Sequence, residues 1–73
     1  MRTEIEKEMN IYFFSTVDNR GLVRILYVKE SSLFLALKEA INFLNCDIVS
    51  IVGLQTREFP AEMGSCNILE VTP

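Results

Sequence analysis

The chain has 73 residues, a formal net charge of −3 and an apolar fraction of 49%, with no histidine and two cysteines. That length fits one domain. Interspersed acids and bases argue against nucleic acid, which needs clustered Lys and Arg, and two thiols without histidine supply neither a zinc centre nor a disulfide framework.

Residues 1–10 are dense in charge and poor in apolar side chains, so they are expected to form a tail or a frayed helical turn ahead of a domain at 11–73. They lack an apolar signal core. No run approaches the roughly 20 apolar residues that cross a bilayer. No membrane partner is expected, and the expected location is cytoplasmic, with both thiols reduced.

Residues 11–17 (IYFFSTV) and 22–28 (LVRILYV) are β-branched and aromatic, and each reads as a strand. The intervening Asp18-Asn19-Arg20-Gly21 suits a type I turn closed by a left-handed glycine. That turn predicts a register pairing Val17 with Val23, Ser15 with Ile25 and Phe13 with Tyr27. Strand side chains alternate, so one face holds Ile11, Phe13, Ser15, Val17, Val23, Ile25 and Tyr27. The other holds Tyr12, Phe14, Thr16, Arg24, Leu26 and Val28. The first reads as the core face, and the second is polar only near the turn, at Thr16 and Arg24.

Lys29-Glu30-Ser31-Ser32 is read as a break that supplies a serine N-cap. Over residues 33–45, Leu33, Ala36, Leu37, Ala40, Ile41 and Leu44 recur at i, i+3, i+4 spacing and predict an amphipathic helix. Asn45 suits its left-handed C-cap. Residues 47–54 read as a strand buried on both faces, with Gly53 marking a bulge or a close backbone approach. Residues 55–65 form a loop with a helical turn between Pro60 and Gly64, and 66–71 an edge strand. The fold class is thus α+β, ββαβ(β): a three- to four-stranded, mostly antiparallel sheet with one helix packed on one face. Strand order 2-1-3 is favoured.

Chemistry-bearing residues are scattered singly. Asp18 reads as a turn residue bonding its own backbone. Cys46 follows a helix C-terminus, where the dipole disfavours a thiolate, and reads as a small buried residue; Cys66 lies in a loop setting open to solvent. Arg57, Glu58 and Glu62 could line a site on the long loop, although solvated loop charge is the simpler reading. The three glycines are isolated, so no phosphate-cradling loop is present. No enzyme activity, metal or cofactor is expected, and no pattern ties the chain to a known family.

One surplus remains. The apolar side chains exceed what a single helix on one sheet face can cover, and exposed apolar patches mark contact sites. Tyr12, Phe14, Leu26 and Val28, with Leu35 on the helix, are the expected interface. The expected function is a small non-enzymatic protein–protein interaction module, an adaptor, inhibitor or regulatory subunit, forming a homodimer or docking on a larger partner. The alternative is a ligand-binding or sensing domain with a pocket at a subunit interface or under residues 55–65.

Overall fold

A computed structural model describes residues 9–57 and 60–71. The elements are β1 (Asn10–Asp18), β2 (Val23–Glu30), α1 (Leu33–Leu44), β3 (Ile48–Thr56), a 3-10 turn at Ala61–Met63 and β4 (Ile68–Val71). They build one antiparallel sheet in the order β3-β1-β2-β4 with α1 packed on one side. The expected α+β class holds, as does the placement of the third strand beside the first, and the last strand lies on an edge.

Turn chemistry fixes the hairpin. Gly21 takes φ 83°, a conformation that costs glycine least. Its amide donates to the Asp18 carbonyl at 3.0 Å. The Asp18 carboxylate accepts from the amides of Leu22 at 2.8 Å and Arg20 at 2.9 Å. These bonds, that of Leu22 first, lower its pKa despite burial. The register is the expected one, with Val17 opposite Val23, Ser15 opposite Ile25 and Phe13 opposite Tyr27.

The helix ends follow the same local logic. Ser32 Oγ accepts the Leu35 amide at 3.2 Å, satisfying one of the donors a helix N-terminus leaves free. Asn45, at φ 49°, closes the other end and donates its amide to the Ile41 carbonyl at 3.0 Å.

Three expectations are corrected. First, the helix covers the face of Tyr12, Phe14, Leu26 and Val28, which join Ala36, Ala40 and Leu44 in the buried core. These four side chains are therefore packing residues and cannot be a contact surface. The reason is shape: Ala36 and Ala40 are fully buried, and Gly53 leaves room for the Phe14 ring. Thr16 is buried on this face too, and its hydroxyl is satisfied by donating to the Arg24 carbonyl at 3.0 Å. Second, β2 does not break at Lys29 but runs to Glu30, because β1 offers Ile11 and Asn10 as pairing partners. Third, β3 is not buried on both faces. It is an edge strand, and Val49, Val52 and Leu54 are exposed. The expected tail overlaps β1 at Asn10, and its residues 1–8 lie outside the described residues.

Candidate functional site

Residues directly opposite in an antiparallel ladder share a face, so the register defines the side of the sheet that α1 does not cover. β1 contributes Ile11, Phe13, Ser15 and Val17; β2 contributes Val23, Ile25, Tyr27 and Lys29. β3 adds Ser50, Val52, Leu54 and Thr56, and β4 adds Leu69 and Val71. Val52 and Leu54 are 56% and 61% exposed, and Val23 is exposed as well. Phe13, Val17, Ile25, Tyr27, Leu69 and Val71 are half-buried. The Phe13 and Tyr27 rings stack across the strands with centroids 5.3 Å apart.

Among the described residues this face holds a single charged group, Lys29 at its end, and its polar side chains are Ser15, Ser50 and Thr56. Only Ile11 among its apolar members is buried. Four strands of apolar surface thus stand without a covering layer among the described residues. This apolar surface lies on the opposite side of the sheet from the one expected to stand open.

The helix carries a second set of exposed apolar side chains: Leu33, Phe34, Ile41 and Phe43, with Leu35 at its margin. Leu35 keeps partial exposure, but it belongs to the helical layer and is not continuous with the open sheet face. Of the loop candidates, Arg57 and Glu62 are both exposed and no ion pair joins them. Glu58 lies outside the described residues.

Charged groups gather in two places on the helix side. Arg24 on β2 donates through Nε and Nη2 to both carboxylate oxygens of Glu70 on β4, at 2.8 and 2.9 Å. Glu70 holds Arg24 firmly protonated, and Arg24 in turn lowers the pKa of Glu70. An exposed pair of this kind contributes little on its own; its fork geometry pins the short edge strand in register.

At the other end of the sheet Glu39 on α1 faces Glu30, both half-buried. The hydrogen bond with Glu30, then burial, then charge repulsion raise the Glu39 pKa. A raised carboxyl pKa favours the fold below the unfolded value of about 4.3. That contribution is lost as pH rises through the folded value. Glu39→Gln should therefore raise the urea midpoint near neutral pH. At about pH 3, where Glu39 is protonated in the parent protein, the two proteins should unfold together. A gain of the same size at both pH values would remove Glu30 as its cause. Asp18 and Glu70 act in the opposite sense, stabilising above about pH 4 and losing that effect in acid, but they are common to both proteins.

A surface depression of about 310 Å³ lies at the helix C-terminus, lined by Ile41, Asn42, Asn45, Cys46 and Asp47. Cys46 is exposed there, not buried as expected, because α1 ends before it and the chain turns outward at Asn45. Cys66 is also exposed. The two thiols sit at opposite ends of the sheet: Asp47, next to Cys46, bonds Asn19 at the hairpin turn, while Asn67, next to Cys66, accepts from Lys29. No group of three metal-ligating side chains occurs among the described residues, and no helix among them is long and apolar enough to cross a membrane.

Comparison of the chain with protein-family models, curated proteins and solved structures finds no match.

Sequence reading located the apolar surplus but assigned it to the wrong side. The apolar residues on the side away from α1 include Phe13, Ile25, Tyr27, Val52 and Leu54, of which the first three were expected in the core. Their signal was available in Gly53, which β3 places opposite Phe14. A glycine facing a large aromatic marks the tightly packed side of a sheet.

Proposed function

We propose that this chain is a small non-enzymatic protein–protein interaction module, acting as an adaptor, inhibitor or regulatory subunit and associating with itself. The observation that supports this reading most is the four-stranded apolar face that no layer covers among the described residues, exposed at Val23, Val52 and Leu54. Apolar patches of several hundred Å² on a soluble domain mark contact sites. A chain this short buries a smaller share of its surface than larger domains do, and association supplies the missing burial.

The ligand-binding alternative draws no comparable support. The depression at the helix C-terminus lies at the hairpin end of the sheet, opposite the end where the chain leaves β3 for the 3-10 turn.

Retention from a host extract on the immobilised chain tests the reading. The wild type should hold protein that the Val52→Asp/Leu54→Asp double variant releases, untagged copies of the chain included. Equal retention by both would sink the assignment of this face.

A further inference from the structure

We infer that the occupant of the open sheet face is a second copy of this chain, seated face to face about a two-fold axis, so that two helix-backed sheets form a four-layer α/β/β/α dimer. This inference rests on the interaction-module reading and specifies the geometry of its self-association.

Area is the first argument. Strands spaced about 4.8 Å apart with about 3.3 Å per residue give a four-stranded face of roughly 400 Å² in projection. Once corrugated side chains are included, two such faces bury on the order of 1,200 Å² together, which reaches the size of a stable specific interface.

Charge is the second. An isologous contact sets each residue against the same patch of its copy, so any dense charge on the patch would repel itself. Among the described residues the interior of the face carries no charge, and the one cation on it, Lys29, lies at the end of β2. The patch is compatible with itself.

Shape is the third. Facing sheets pack about 10 Å apart with interdigitating side chains. The half-buried stack of Phe13 on Tyr27 stands beside the small Ser15, giving the relief that such packing uses.

Pairing through the β3 edge is the competing arrangement. β3 has β1 on one side and no strand on the other among the described residues. It contains none of the lysines or prolines that protect edges. Edge pairing would satisfy backbone groups yet leave Val52 and Leu54 in water. Face-to-face packing covers both.

The test uses the purified full-length chain under reducing conditions, with sedimentation velocity across the micromolar range. The expected mass is twice the 8.4 kDa of one chain. Val52→Asp/Leu54→Asp should weaken the dimer by on the order of 100-fold or more, with the far-UV circular dichroism of the folded chain retained. Val52→Thr/Leu54→Thr, which keeps strand propensity, should weaken it less. Val49→Lys, which puts a charge on the β3 edge, should leave the dimer intact. A wild-type monomer at high micromolar concentration overturns the inference and the self-association with it, even where the same face still captures a different protein and the interaction-module part of the reading survives. A dimer that resists both double variants, or one that Val49→Lys alone dissociates, overturns the face-to-face geometry.

Discussion

Phe14→Asp should abolish the folded state, whereas Leu54→Asp, on the other side of the same sheet, should leave it intact. Phe14 is 1% exposed and lies in the core beneath Ala36 and Ala40. A carboxylate there has no partner and must either ionise in an apolar layer or take up a proton. Leaving such a polar group unpaired costs several kcal/mol. Even Phe14→Ala should cost about 3–5 kcal/mol, and a core of this size supplies only about 3–5 kcal/mol in total. Circular dichroism during urea titration should show no cooperative transition for Phe14→Asp. Leu54 is 61% exposed, and its replacement should change the stability of the dilute chain by no more than about 1 kcal/mol. A cooperative, wild-type-like transition in Phe14→Asp would mean that the helix does not cover this face.

Gly53→Ala is the second large effect, and its sign runs against propensity. Glycine inside a strand is ordinarily worse than alanine by about 0.5–1 kcal/mol. At position 53, however, an added methyl would stand 2.5 Å from Phe14 Cε1 and 2.8 Å from Cδ1, with Leu33 Cδ1 at 3.5 Å. The ring is fully buried, so it can yield only by displacing the core around it. Overpacking of this kind costs about 1–3 kcal/mol. Combining Gly53→Ala with Phe14→Leu removes the obstructing ring edge, so the double variant should be more stable than the two single effects predict, by at least about 0.5 kcal/mol. Strictly additive urea midpoints would exclude the ring as the obstacle.

These two sites also show what was legible in the sequence. Turn chemistry at Asp18 and Gly21 specified the hairpin and its register, because few turns accept that residue order. Helix periodicity, Ser32 and Asn45 specified the helix with its caps. The face the helix would choose was not legible from hydrophobicity, since both sides of the hairpin are apolar. Complementarity between small and large residues decided it, with Ala36, Ala40 and Gly53 receiving Phe14. The run at 47–54 misled for a related reason. An apolar strand reads as central, yet the same pattern suits an edge strand whose surface is left open. Lys29 and Glu30 read as a break, but β1 extends far enough to pair with both, a partner that local sequence does not reveal.

The placement of the two thiols has its own consequence. Cys46 and Cys66 lie at opposite ends of the sheet, too far apart to close a bridge within one molecule, for which the α-carbons must approach to within about 7 Å. Under oxidation each molecule would behave as a connector with two reactive tips. Any disulfide either thiol forms would therefore have to join it to another molecule.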